Sequence, residues 1–328
     1  MISTRTGVFL VFFSGGGVAL FAQPAAIEQL QNNQISQQLQ VPMPNLHAGT
    51  NSPELYPGEN TDVGPQRILR LQPRTTWFDL LFDSQVFFSD NANYAQEPFA
   101  IASPVYVNTV QAALAPPALP LAGGKFSAAL GLASQWYNYG DNRLESLDFN
   151  AQTFFVSGKY TLDNWQVGLG VNLTRLVNQE NYNENYRELM PNFGIQRVIP
   201  VNDRMFFSLG DLVDYHFTKV PSVLGSRTDI NDRFDTIASV TFTWQVTHHF
   251  IVQPFYRFQY SYYQHDTLAT SARDDYLQSG GLTVAYYFNK NLSLRAFYSY
   301  NRKQSDDRFT PAYHEMNGGL GLAFDWKF

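Results

Sequence analysis

The sequence contains no cysteine. Disulfides and thiolate metal sites are therefore excluded. It is also poor in charge: Asp, Glu, Lys and Arg make up 15% of its 328 residues, against about 25% in ordinary soluble domains. Nowhere do about twenty apolar residues run together, so no helix is expected to cross a bilayer. A net charge of -6 gives no footing for nucleic acid, and no such partner is expected. There is no H-E-x-x-H, Walker A, dinucleotide glycine pattern or EF-hand loop, and no cofactor or metal is expected.

Aromatic residues are what the chain has in quantity, with 19 Tyr and 27 Phe. A barrel strand needs only about ten residues, and only alternate ones face lipid, so a mean hydropathy of -0.26 does not argue against a membrane barrel. Aromatic girdles at both interfaces would account for the rings. A Tyr-rich soluble sandwich is the competing reading of composition alone.

Residues 1–22 have the order of a secretory signal. Arg5 supplies the positive start, Gly7 to Phe21 is uncharged, and Ala22 is the expected last residue removed. Residues 23–73 differ from everything after them, with Gln31-Asn32-Asn33-Gln34, Gln37-Gln38 and many prolines, among them Pro53, Pro57 and Pro65. That composition buries little apolar surface. It reads as a polar periplasmic linker; the sharper alternative is a plug or a tail for a periplasmic partner.

Residues 74–328 alternate. Trp165, Val167, Leu169, Val171 and Leu173 interleave with Gln166, Gly168, Gly170, Asn172 and Thr174. Phe234 to Val246 and Met316 to Phe328 repeat the pattern, which is the period of a half-apolar strand. Strands are expected near 75–89, 103–114, 125–138, 148–161, 164–177, 186–199, 204–218, 233–247, 249–264, 276–288, 291–304 and 313–328. Alternation is broken in the second, fourth and sixth. Pro191 and Pro254 fall inside strands, where a missing donor suggests a bulge or a misplaced boundary. Tight turns (Asp163-Asn164, Asn202-Asp203, the His248 region, 289–291) alternate with longer polar links, the wiring of an outer-membrane barrel. The predicted fold is all-β: a transmembrane antiparallel barrel of about twelve strands, with short periplasmic turns and longer extracellular loops.

The final strand carries Leu320, Leu322, Phe324, Trp326 and the terminal Phe328. It resembles the C-terminal signature of bacterial outer-membrane β-barrel proteins, and Ser89-Asp90-Asn91 resembles porin-like members. The resemblance implies residence in the outer membrane of a Gram-negative-type bacterium, contact with its lipid, and those five residues as the signal read by the barrel-assembly machinery. It implies no named transport activity.

Chemistry is sparse. His216-Phe217-Thr218 is the nearest approach to the Ser-His-Asn arrangement of barrel phospholipases, but Thr218 stands where they carry serine and no Ser-Asn pair follows. No enzyme is expected. His248-His249 sits in a predicted turn. Asp229, Asp232, Asp306 and Asp307 are loop carboxylates without the spacing of a calcium loop. The inward-phase residues Asp235, Gln245, Gln253, Arg257, Arg295 and Asp325 are the candidates for lining a lumen. Arg257 and Arg295 beside Asp235 and Asp325 would set a transverse field for small polar solutes; alternatively the charges pair and fill a closed lumen. Glycines such as Gly168, Gly170, Gly319 and Gly321 would leave room for water. Two functions stand: passive passage of small hydrophilic solutes or ions, and a docking barrel that binds a partner through loops or tail.

Overall fold

The computed structural model describes residues 26, 27, 29, 76–221, 227–265, 272–307, 310 and 312–328. The expected signal segment and most of the expected linker lie outside them. No helix among the described residues is long and apolar enough to cross a membrane. In chain order the strands are β1 (Phe78–Ser89), β2 (Ser103–Leu114), β3 (Leu119–Leu121), β4 (Gly124–Tyr139), β5 (Phe149–Leu162), β6 (Trp165–Asn178), β7 (Glu184–Asn202), β8 (Met205–Lys219), β9 (Arg233–Gln245), β10 (Phe250–Tyr263), β11 (Asp274–Tyr287), β12 (Leu292–Ser305) and β13 (Tyr313–Lys327). A short 3-10 helix, Asn142–Leu147, sits between β4 and β5.

Twelve of these strands form one closed antiparallel ring. Each pairs with its sequence neighbour, β2 pairs directly with β4, and β1 pairs with β13 to close the circle. All twelve lie close to their predicted positions. The three-residue β3 was not foreseen; it pairs with the start of β4 inside the Ala115–Gly124 link. The closing seam joins the first strand to the last. Phe82 faces Phe324 and Val86 faces Leu320 across it. The carbonyl of Phe328 accepts from the amides of Trp77 and Phe78, both at 2.9 Å, and the rings of Phe78 and Phe328 stack at 5.5 Å.

Neither internal proline makes a bulge, contrary to the sequence expectation. Pro254 lies in register against Leu282 of β11, and Pro191 against Val171 of β6. On the other side of each proline a stretch of ladder is missing but the register resumes unchanged. The missing N–H thus costs a local break on one flank. The register shifts lie elsewhere, at Leu176/Val177 and Pro200/Asn202.

The outer face is apolar. Leu169 is 63% exposed, and Leu173, Val240, Leu282, Leu320 and Trp326 are exposed with it. In a chain surrounded by water this would be an aggregating surface; against lipid it is the required one. From Trp165 to Leu173 the band covers eight residue steps of about 3.3 Å, which on a strand tilted by about 40° spans about 20 Å of the ~25 Å apolar belt of such barrels. At its short-turn edge the Arg197 guanidinium sits 5.1 Å from the centre of the Trp165 ring. The Leu320, Leu322, Phe324, Trp326 and Phe328 side chains all lie on this exposed face.

The lumen as candidate functional site

The inward positions are not equivalent along the barrel. At the short-turn end they are open on β5, where Thr153 and Phe155 are partly accessible and Ser157 and Lys159 exposed, but Phe206 and Ser208 of β8, Thr243 of β9, Ile251 of β10 and Ala285 of β11 are buried there. At the long-loop end they are buried: Phe149 and Ala151 of β5, Thr174 and Leu176 of β6, Tyr186 and Glu188 of β7. β12 shows the same gradient. The lumen is therefore a cavity on one side of its periplasmic half, against β2 and β4 to β8, and a packed interior in its extracellular half.

The cavity holds about 610 Å³ between β2 and β4 to β8. Its wall is mostly uncharged polar or small: Gln111, Ser127, Gln166, Gly168, Asn172 and Gln196 are among its lining, with Lys159 and Asp211 as charges. Here Gly168 does leave room, with only the Gly158 carbonyl at 3.8 Å from where its side chain would begin. Gly319 and Gly321 do not, correcting the sequence expectation. A Cβ on Gly319 would meet Phe87 Cβ at 2.4 Å, and one on Gly321 would meet Arg295 Nε at 2.9 Å. Gly131 under the Phe155 ring and Gly281 under the Phe255 ring follow the first pattern. In these pairs glycine makes space for a neighbouring strand's inward ring.

The packed half has an apolar part and an ionic part. Val105, Val107, Tyr137, Tyr139, Phe149 and Tyr313 belong to one buried cluster. The 90–102 link joins it through Ala92 and Tyr94, and the 3-10 helix through Leu144 and Leu147. So do Ala26 and Ile27 of the N-terminal segment, at 8% and 5% exposure, and buried Gln29 accepts a hydrogen bond from the Tyr94 hydroxyl. Asn91 fastens the link by donating to the carbonyls of His314 and Ala95 at 2.9 and 2.8 Å, while Ser89 donates to Glu315 at 2.7 Å. The Ser89-Asp90-Asn91 stretch thus ties the first long link to the last strand.

Beside this lies an ionic network on β7 to β10. His216 Nδ1 is 3.0 Å from Glu188, and its Nε2 is 3.0 Å from Asp214 and 3.2 Å from Asp235. Carboxylates at both ring nitrogens require both to donate, so the ring is an imidazolium here. Arg233 Nε lies 3.0 and 3.1 Å from the two oxygens of Asp235, Tyr186 donates to Glu188 at 2.7 Å, and Gln259 donates to Asp235 at 3.1 Å. Asp214, His216 and Asp235 are close enough to share a metal ion, but the Arg233 guanidinium already supplies the positive charge. His216 faces the lumen rather than lipid, and the Thr218 hydroxyl is spent on Asp232 at 2.7 Å.

The sequence-predicted lumen residues divide accordingly. Asp235 pairs with Arg233, not with Arg257. Arg257 is buried and donates to Ser279 at 3.0 Å. Arg295 pairs with Asp83, a partner the alternation of β12 alone did not indicate. Gln253 donates to Thr243 at 3.1 Å. Gln245 lies at the periplasmic end of β9, its backbone N–H donating to the Arg204 carbonyl at 2.8 Å. Asp325, at the periplasmic rim, is 3.3 Å from Lys327. The four do not form the single transverse array the sequence suggested.

Outside the barrel wall, the loop carboxylates have local partners. Arg227 grips both oxygens of Asp229 at 2.8 and 2.7 Å and holds its carboxyl down to about 2. Asp306 accepts from the Asp274 amide and Asp307 from the Thr310 hydroxyl, each at 2.8 Å. Asp229, Asp232 and His265 converge, His265 Nε2 standing 3.7 and 3.8 Å from the two carboxylates.

A closed antiparallel ring, an apolar outer belt and alternating short and long connections define an outer-membrane β-barrel. No family model matches the chain, and no curated protein matches its sequence. Among solved structures it is similar to the COG4313 outer membrane channel from Pseudomonas putida F1, at 12% identity over 81% of this chain and 100% of that one, with a TM-score of 0.48. It is similar to the NanC porin, at 11% identity over 74% and 98%, TM-score 0.42. It is also similar to the β domain of the Bordetella autotransporter BrkA, at 13% identity over 76% and 99%, TM-score 0.42.

Proposed function

We propose that the protein is a porin-like channel for small hydrophilic solutes or ions, shut on its extracellular side in the state seen here. The carrying observation is the periplasmic cavity of about 610 Å³ lined largely by amides, hydroxyls and small residues. The amide, hydroxyl and charged groups on that wall can replace part of a small solute's hydration. Passage then requires the extracellular packing to open. Ala26, Ile27 and Gln29, the 90–102 link and the 3-10 helix are parts of that packing that do not belong to the barrel wall, so they are the natural moving parts. In this reading the N-terminal segment is a plug rather than a plain linker, and Arg257 and Arg295 line the path once it opens.

The packed half also favours a second reading, a docking barrel that conducts nothing and binds a periplasmic partner through residues 23–73. Planar-bilayer conductance separates the two. The channel reading expects rare openings from the chain beginning at Gln23 and steady steps from a chain lacking residues 23–73. Silence from both forms would overturn it and leave the docking barrel. A non-enzymatic role fits the same picture, since His216 is committed to three carboxylates. The barrel-assembly machinery is the partner proposed for the outward Leu320 to Phe328 row.

A further inference from the structure

The outer wall carries one feature that passage through the lumen does not use. Three cations stand in one row on adjacent strands at the extracellular edge of the apolar belt. Arg175 of β6 is paired directly opposite Arg187 of β7, and Arg187 directly opposite Lys219 of β8. All three are exposed and share the outward phase with Leu173, Leu189 and Phe217. Those three apolar residues are themselves in register one row nearer the membrane centre. The cations therefore sit on top of the lipid-facing surface, at the height of headgroups.

Like charges directly opposite on neighbouring strands destabilise a sheet. The described residues offset this only in part. Glu184 pairs with Arg187 at 2.8 Å. Arg175 donates to the neutral Gln152 at 2.8 Å, and no carboxylate among the described residues pairs with Arg175 or Lys219. Strands spaced about 4.8 Å apart bring the three side chains within reach of one polyanionic group. No other three neighbouring strands place outward cations in register among the described residues.

We infer that Arg175, Arg187 and Lys219 form a binding site for lipid-borne phosphate, of the kind a phosphorylated glycolipid presents in the outer leaflet. The acyl chains would lie along Leu173, Leu189 and Phe217, while the phosphate oxygens accept charge-assisted hydrogen bonds from the two guanidinium groups and the ammonium. The inference rests on the outer-membrane reading but not on conduction.

The test is native mass spectrometry of the folded full-length protein from detergent, with diphosphorylated lipid A added and with its dephosphorylated form. The comparison is between wild type and R175Q/R187Q/K219Q, with R302Q on another part of the wall as control. All four residues point outward, so the barrel should fold in each variant; intact circular dichroism and insertion into vesicles would confirm it. The expected result is retention of the phosphorylated lipid by wild type and R302Q, at least about tenfold weaker in the triple variant, since each surface cation is worth several-fold. Retention of both lipid forms alike, or equal retention by wild type and the triple variant, would overturn the inference. Displacement by millimolar inorganic phosphate would overturn its lipid part, marking a free-anion site. A wild-type chain that inserts but retains no lipid overturns this inference alone; one that fails to insert overturns the membrane reading as well.

Discussion

Replacing Arg233 with Met removes one of two cations from a buried group of three carboxylates. In the native arrangement Glu188, Asp214 and Asp235 face Arg233 and the His216 imidazolium. Without Arg233 a single cation faces three anions, and Asp235 loses both contacts to the guanidinium nitrogen at 3.0 and 3.1 Å. The site is nearly dry, with Arg233 and Asp235 each 2% exposed, so water cannot screen the loss. Breaking one partner out of a buried pair costs about 3–5 kcal/mol. R233M should therefore lower the unfolding free energy by about that amount, measured by urea titration in lipid vesicles with tryptophan fluorescence as the signal. The informative variant is the double, R233M/D235N, which restores the native balance with two carboxylates facing one imidazolium. It should be more stable than R233M even though it carries a second change. If D235N adds a further loss on top of R233M, charge balance is not what holds this site, and the argument fails.

Four further outcomes follow from the same geometry. Arginine at the lipid-facing Val240 should cost about 2–4 kcal/mol near the mid-membrane, while arginine at the adjacent inward Thr241 should cost less; equal penalties in vesicle unfolding would contradict the assigned faces. Gly319→Val should fold poorly, because its Cβ would stand 2.2 Å from the Val86 carbonyl oxygen, whereas Gly168→Ala should be tolerated; heat-modifiable gel mobility reads both. N-terminal sequencing of membrane-extracted protein should begin near Gln23, and a mature chain that retains Met1 would refute the signal assignment. Limited proteolysis should leave the Ala26–Gln29 region protected in the folded protein but expose it in Y94A, which loses the ring beside it; early cutting there in wild type would place the segment outside the lumen.

Much of the barrel was legible because the outer wall obeys a simple rule. Every second residue must satisfy lipid, so Leu169, Val240 and Leu320 announce their strands and their phase. The lumen obeys no such rule. Its extracellular half is a small packed core, and its inward residues are apolar or charged according to neighbours on other strands. Arg295 finds Asp83 and Ser89 finds Glu315 across the β1–β13 closure, more than 200 residues apart in sequence. Alternation along one strand cannot report such partners. A signal of the packed half was present nonetheless: in Val105-Tyr106-Val107 both faces of β2 are apolar, which is why its alternation is broken. The Leu144 and Leu147 side chains were similarly conspicuous in an otherwise polar link, and the 3-10 helix buries both. The plug and linker readings of the N-terminal segment differ by contacts that its glutamine- and proline-rich composition does not encode.

The absence of cysteine makes the most direct test of the central claim a clean one. Single cysteines at Gln166, in the periplasmic cavity, and at Thr174, fully buried eight residues higher on the same strand, can be probed with a membrane-impermeant thiol reagent from either side of the outer membrane. Gln166→Cys should label from the periplasmic side and resist labelling from outside. Thr174→Cys should resist both in the full chain and become reactive once residues 23–73 are removed. External labelling of Gln166→Cys in the full chain, or a Thr174→Cys whose reactivity is indifferent to the N-terminal segment, would contradict a lumen open to the periplasm and closed by that segment.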